Sequence, residues 1–122
     1  NKRDLNRYKW NKTKLDNLLK NKRSKQSIFY NEILKLISIK KQNKAFHPNA
    51  RRENLNMGKK IFCFKRTSLD KKQTIYNITN LSSKYQKFKF NYKLSKYKNL
   101  LDKTSLSQKS ELKPFETLWL SN

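Results

Sequence analysis

The sequence is short of the residues that build turns, disulfides and membrane spans. Its 122 residues include one glycine, two prolines and one cysteine, so no disulfide can form within the chain. No apolar run approaches the roughly 18 residues that a membrane span needs, and no secretory signal is visible. These absences exclude a disulfide-stapled secreted domain and predict a protein of the cytoplasm. The chain does not begin with methionine, so we expect residues upstream of Asn1.

Acidic residues are also scarce, with 8 Asp and Glu against 31 Lys and Arg, and the net charge is +23. Such a balance makes nucleic acid the first partner to consider. Only six of the basic residues are arginine, however. Lysine and asparagine are both frequent, as they are in a protein encoded by an AT-rich gene. Arginine is the better residue for contacts with phosphates and bases. Composition therefore favours genome bias, and we do not expect nucleic acid as a partner.

The apolar residues before position 45 repeat with a helical period. Thr13, with Asp16 three positions later, predicts the start of a short helix that ends near Asn21. A second helix is predicted over 25–42, beginning at Ser24 or Ser27. Its apolar stripe comprises Phe29, Ile33, Leu36 and Ile37, widened by Tyr30 and Leu34.

After residue 50 the period changes to that of strands. The predicted strands are 61–64, 74–79, 87–94 and 115–120, with another around Leu55. In 87–94 the aromatic residues and the lysines alternate, which places them on opposite faces. A platform that stacks nucleic-acid bases needs both on one face, so we interpret 87–94 as a core strand with a solvated lysine face.

Residues 45–50, Ala-Phe-His-Pro-Asn-Ala, lie where the period changes, and we call them the junction segment. They contain His47, the only histidine. It has no cysteine or second histidine nearby, so we expect no metal site and no cofactor. We interpret His47 as a structural residue at a helix-to-strand corner. Cys63 lies in an apolar strand and is predicted to be a buried, inert thiol.

The N-terminal segment differs from the rest because four polar groups surround one leucine without helical periodicity. Arg3, Asp4, Asn6 and Arg7 supply guanidinium forks for hydroxyls and anions, and an acid to hold a fork in place. The segment is either a sugar- or phosphate-facing loop or a frayed basic end. Residue types alone do not separate these two interpretations.

Several short motifs follow one another along almost the whole chain. They lie at 3–7 (R-D-L-N-R), 34–41 (L-K-L-I-S-I-K-K), 45–50 (A-F-H-P-N-A), 61–66 (I-F-C-F-K-R), 75–82 (I-Y-N-I-T-N-L-S), 99–102 (N-L-L-D) and 112–120 (L-K-P-F-E-T-L-W-L). In this order they resemble the C-terminal part of the sucrose phosphorylase and glucosylglycerate phosphorylase group. That group belongs to glycoside hydrolase family 13, the α-amylase superfamily.

The resemblance implies an α+β fragment. Residues 1–44 would be the end of a catalytic (β/α)8 barrel, with its substrate loop and outer helices, and 45–122 would be a small antiparallel β-sheet or sandwich domain. The parent would be a retaining enzyme that passes a glucosyl group to phosphate, with its catalytic carboxylates upstream of this chain. This chain alone is expected to be inactive.

The resemblance also implies a role for the N-terminal loop. Arg3 would help to bind the donor glucosyl unit, and Asp4, Asn6 and Arg7 would shape the loop. The departures are Lys2, where the family has glycine, and Tyr8, where many members have histidine. The partners implied are the remainder of the barrel, a glucoside substrate and phosphate. Two alternatives are the same end of a family-13 hydrolase or transglucosylase, and a small basic nucleic-acid-binding protein.

Overall fold

A computed structural model describes residues 8–89, 96–104, 106 and 111–122. Two helices are followed by strands that form a five-stranded and a two-stranded antiparallel sheet. The chain divides into two compact units, residues 1–38 and 39–122. The predicted α+β class with an antiparallel sheet is confirmed, whereas the domain boundary at 44/45 stays a prediction.

Helix α1 spans Lys12–Lys20 and helix α2 spans Lys25–Gln42. The N-cap of α1 is Asn11, whose Oδ1 accepts a hydrogen bond from the Lys14 amide at 3.0 Å. The prediction of Thr13 as the cap is therefore wrong, because an asparagine two residues earlier already satisfies a free amide of the first turn. Ser24 begins α2, since its hydroxyl accepts from the Ser27 amide at 3.0 Å.

The larger sheet comprises five strands: β1 Arg51–Asn56, β2 Ile61–Thr67, β3 Thr74–Asn80, β5 Lys98–Asn99 and β7 Thr117–Ser121. Their order is β1-β2-β3-β7-β5, and every neighbouring pair is antiparallel. The predicted strands at 61–64, at 74–79 and around Leu55 are thereby confirmed. Gly58, the only glycine, lies in the β1–β2 connection with a φ of 93°, a value that side chains disfavour.

Two predicted strands need correction. The strand expected over 115–120 begins at Thr117, because Phe115 turns the chain with a φ of 56°. The strand expected over 87–94 is β4, Gln86–Lys87, which pairs only with the two residues of β6, Glu111–Leu112. Phe88 and Lys89 lie beyond this short ladder, and 90–94 lies outside the described residues. Phe88 is buried between two exposed lysines, as the alternation predicts.

The hydrophobic core of residues 39–122 lies on one face of the larger sheet. Cross-strand register places Cys63 beside Ile78, Ile78 beside Leu118, and Tyr76 beside Leu120. The residues that pack over them come from the later part of the chain: Phe88, Leu106 and Leu112. Burial raises the pKa of the Cys63 thiol to about 11, so the prediction of a buried, inert thiol is confirmed.

Candidate functional site

The junction segment lies on the second face of the sheet, opposite the core. Ala45 and Ala50 are buried, and a one-turn 3-10 helix spans Lys44–Phe46. The ring of Phe46 packs against the ring of Trp119 with 5.0 Å between centroids. A corner that turns a helix into a strand leaves peptide groups without secondary-structure partners, and these groups must find others.

Arg66 on β2 supplies partners for the carbonyls of the junction segment. Its Nε donates to the Ala45 carbonyl at 2.8 Å and its Nη2 to the His47 carbonyl at 2.6 Å. Nη2 also lies 3.5 Å from the Ala50 carbonyl. One planar guanidinium therefore contacts three carbonyls of the irregular backbone, a task for which the fixed fork of arginine is suited and the point charge of lysine is not.

Gln73 binds the same segment through the backbone amide of Ala45. Its Oε1 accepts from the Ala45 amide at 3.0 Å. Its Nε2 donates to Asn43 Oδ1 at 2.7 Å and to Ser121 Oγ at 3.1 Å. Ala45 is thus bonded through its carbonyl to Arg66 and through its amide to Gln73, and it is completely buried. The sequence does not predict the role of either side chain, Arg66 or Gln73, because nothing in their spacing marks them.

Asp70 organises the loop between β2 and β3. Its Oδ1 accepts from Ser68 Oγ at 2.6 Å and from the Lys72 amide at 3.1 Å, and its Oδ2 pairs with Lys44 Nζ at 2.9 Å. The hydrogen bond from Ser68, followed by that from Lys44, holds the pKa of Asp70 well below its usual range. The carboxylate is therefore ionised and both of its oxygens already have partners, so it is not available as a general acid or base.

His47 is exposed and lines a shallow cavity of about 210 Å³ with Lys44, Leu69 and Asp70. Its Nδ1 accepts from the Asn49 amide at 3.2 Å, which closes the turn at Pro48. Across the described ranges, no group of three or more His, Cys, Asp or Glu could hold a metal ion. These contacts support the interpretation of His47 as a corner residue.

The four residues expected to bind substrate, Arg3, Asp4, Asn6 and Arg7, lie outside the described residues. The structure therefore neither brings them together nor separates them. The site that it does describe is the one around the junction segment, and its groups act on backbone atoms of the chain itself. Its chemistry is structural: it fixes the corner that follows α2.

No protein-family model and no curated protein matches the chain. Within the part of the chain that the structure describes, no helix is long and apolar enough to cross a membrane.

Proposed function

We propose that this chain is the C-terminal part of a retaining glucosyl-transferring phosphorylase of glycoside hydrolase family 13, acting on sucrose or a glucosylglycerate. The ordered motifs along the sequence support the family. One structural observation supports the placement within a larger enzyme: the helices bury almost nothing. Helix α1 has no buried residue, and the only buried residue of α2 is Ser27.

The apolar residues of α2 form a broad stripe, and Ile28 lies outside the stripe that the sequence predicts. Ile28, Phe29 and Tyr30 are consecutive, so they point in directions about 100° apart, and they are 54%, 69% and 49% exposed. Ile33, Leu34 and Ile37 are also exposed. A broad apolar surface that is exposed on a helix is normally covered by another part of a larger protein. An outer helix of a (β/α)8 barrel meets this condition on its inner face, because the barrel strands cover that face.

An open groove of about 350 Å³ adds to this argument. It lies within the helical unit and is lined mainly by apolar side chains, those of Trp10, Leu15, Leu19, Phe29, Tyr30 and Ile33. Contiguous apolar surfaces of this kind mark contacts with another protein surface. The remainder of the barrel is the partner we propose, and the cytoplasm is the compartment.

In this proposal the reaction takes place outside these 122 residues. A carboxylate of the barrel displaces the leaving group from the glucosyl carbon, and phosphate then takes the glucosyl unit from that carboxylate. Arg3, with Asp4, Asn6 and Arg7 shaping its loop, would bind the donor sugar. Neither a cofactor nor a metal takes part in this transfer.

The test is to sequence the reading frame upstream of Asn1 and to express the longer protein. We expect about 350 to 400 further residues, enough for a barrel of ~250 residues with insertions. Sucrose or glucosylglycerate with phosphate should then yield glucose 1-phosphate. Release of free glucose without glucose 1-phosphate would indicate the hydrolase alternative, and a stop codon just before Asn1 would exclude both.

Arg3→Lys in the longer protein tests the substrate loop. Lysine keeps the charge but loses the planar fork, so we expect KM for the glucoside to rise. Lys9→Arg is the matched control, because it makes the reverse exchange outside the predicted site. An unchanged KM in Arg3→Lys would remove Arg3 from the site.

A further inference from the structure

A polar groove lies at one end of strands β1 and β2, beside the loop that leads to β3, and has a volume of about 450 Å³. Arg51 of β1 lines it in register with Thr67 of β2, and Glu53 lines it in register with Lys65. Lys71 of the loop also lines the groove. Every residue of its lining belongs to the unit 39–122 and is described by the structure, so the groove does not depend on residues outside this chain.

The groove carries more positive than negative charge. Among the described residues that line it, three are cationic, Arg51, Lys65 and Lys71, and one is acidic, Glu53. Oε1 of Glu53 lies 3.2 Å from Arg51 Nε and 3.2 Å from Lys65 Nζ, so two cations share one carboxylate oxygen. Because a single carboxylate offsets a single positive charge, the groove keeps two positive charges in excess.

The cations retain hydrogen-bond donors that a ligand can use. A guanidinium has five N–H donors, and the ion pair with Glu53 engages the one on Nε of Arg51. The Nη groups of Arg51 form the planar fork that fits two oxygens of a phosphate. The side chain of Arg51 is 78% exposed, and Lys71 is exposed as well, so an ion from solvent can reach both residues.

The rest of the lining is held in place by the fold. Glu53 and Lys65 are paired on adjacent strands, and their side chains are only 34% and 24% exposed. Ser68, which also lines the groove, is buried. Its hydroxyl donates to Asp70 Oδ1 at 2.6 Å and accepts from the Gln73 amide at 2.9 Å. A site formed in advance loses less conformational entropy when a ligand binds, so this groove is suited to a small ligand.

We infer that the groove binds a phosphate group, either as inorganic phosphate or on a small phosphate monoester. The phosphate oxygens accept from the Nη groups of Arg51 and from the ammonium of Lys71. The Thr67 hydroxyl and the Asn49 side-chain amide, which also line the groove, are further donors. The volume falls within the range of about 300–1,000 Å³ that small-molecule sites occupy, and Leu69 gives the groove an apolar wall for the organic part of an ester.

The number of charges distinguishes this ligand from other anions. A phosphate monoester carries about −1.5 to −2 charges near neutral pH, which balances the two positive charges in excess. A carboxylate carries one negative charge, and a nucleic-acid backbone carries one for each phosphate diester. Either would leave part of the excess unbalanced. The inference does not rest on the proposed function, because the whole lining of the groove lies in this chain.

Titration of the 122-residue chain with inorganic phosphate and with glycerol 3-phosphate tests the inference at constant ionic strength. Backbone amide signals of residues 49–53 and 65–71 should shift and saturate with both ligands, and acetate should shift them far less. Tighter binding of the ester would show that its organic part also contacts the groove, and equal binding would identify the phosphate group alone as the ligand. Shifts that do not saturate, or that spread evenly over the lysines of the chain, would overturn the inference.

Substitutions separate a site from the general charge of the protein, whose net value is +23. Arg51→Gln and Lys71→Gln should each weaken phosphate binding several-fold. Lys59→Gln is the matched control, because it removes the same charge in the β1–β2 connection at the other end of these strands. If Lys59→Gln weakens binding as much as the other two, general electrostatic attraction explains the binding and the inference is overturned. Lys71 is exposed on a loop, so Lys71→Gln decides the question even if Arg51→Gln lowers stability.

A third variant should act in the opposite direction. Glu53→Gln removes the carboxylate that repels an anion and competes for Arg51, so phosphate should bind several-fold more tightly. A merely structural role of Glu53 would not produce tighter binding. Unchanged or weaker binding of phosphate by Glu53→Gln would contradict the charge balance on which the inference depends, and would overturn it.

Discussion

The guanidinium of Arg66 donates to the carbonyl of Ala45 at 2.8 Å, across 21 positions of sequence. The same group donates to the His47 carbonyl at 2.6 Å. Strand β2, which carries Arg66 and has a neighbouring strand on each side, thereby holds the irregular backbone that follows α2. Ala45 is completely buried, and a buried carbonyl that loses its partner costs about 1–3 kcal/mol. The corner therefore depends on this side chain, together with Gln73, which accepts from the Ala45 amide.

Arg66→Lys should destabilise the chain by about 1–3 kcal/mol, because lysine keeps the charge but cannot reach several carbonyls at once. Urea unfolding followed by tryptophan fluorescence measures the change, since Trp119 lies beside the junction segment. Arg52→Lys is the matched control. Arg52 is exposed, and within the described residues it donates to no backbone carbonyl, so the exchange should lower the free energy of unfolding by less than about 0.5 kcal/mol. Equal effects of the two exchanges would contradict the assigned role of Arg66.

Asp70→Asn should change how stability depends on pH. The pKa of Asp70 is lowered from its ordinary value of 3.8, so its ionised form stabilises the folded state above that value. The contribution is lost as pH falls through the lower, folded-state pKa. The melting temperature of the wild type should therefore exceed that of Asp70→Asn at neutral pH, and the difference should shrink progressively below pH 3.8.

Two further variants separate the causes of that shift. The hydrogen bond from Ser68 is the largest single cause, ahead of the hydrogen bond from Lys44, whose charge adds a smaller Coulombic attraction. We expect Ser68→Ala to reproduce more of the Asp70→Asn effect than Lys44→Met does. Lys44 is 77% exposed, so added salt should screen its ion pair. A larger effect of Lys44→Met would show that the ion pair dominates.

The elements that could be predicted from the sequence are those whose pattern is long and local. Helix α2 has the predicted bounds, and β2 and β3 lie where β-branched and aromatic residues cluster. The prediction of a long strand at β4 is wrong because a strand can pair only over the length of its partner, and the partner β6 has two residues. Alternation along one segment carries no information about that partner. It did predict correctly which face Phe88 occupies.

The groups around the junction segment were not predictable for a related reason. Arg66 lies 21 positions from Ala45, and Gln73 lies 28 positions from it. Their contacts follow from the register of β2 against β3, which sets Arg66 beside Ile75 and aligns both with the corner. A single sequence gives no register between strands. The one accessible signal was that Arg66 is an arginine in a chain where lysine is far commoner.

Leu112→Ala should be among the most damaging substitutions in the described chain, at about 2–5 kcal/mol. Leu112 is completely buried although its strand has only two residues. Leu81→Ala is the matched control, since Leu81 is 60% exposed, and it should cost less than about 0.5 kcal/mol. Chemical denaturation of both variants measures the difference. If Leu112→Ala costs no more than the control, β6 is not part of the core.

Gly58→Ala should destabilise the chain by about 1 kcal/mol or more for reasons of backbone conformation alone. The φ of Gly58 is 93°, and a Cβ placed there would meet no atom within 4 Å. A steric clash with other residues therefore cannot account for the cost. Lys59→Ala, one residue along the same turn, is the control and should be nearly neutral. Thermal unfolding of the two variants distinguishes a backbone effect from a general sensitivity of the turn.

The helical unit should bind a dye that reports exposed apolar surface when the 122-residue chain is studied alone. Phe29 and Ile33 are exposed and line the groove of about 350 Å³, so the double substitution Phe29→Ser and Ile33→Ser should lower the dye fluorescence strongly. Leu69→Ser with Phe115→Ser is the matched control. Those two residues are 64% and 67% exposed, but they lie outside this groove, and isolated apolar side chains bind little dye. In the longer protein the wild type should bind less dye than the short chain does, because the barrel would cover the groove. A short chain that binds no dye and melts in one sharp transition would show that the helices need no further partner. The exposed apolar residues of the helices would then no longer support the proposed function.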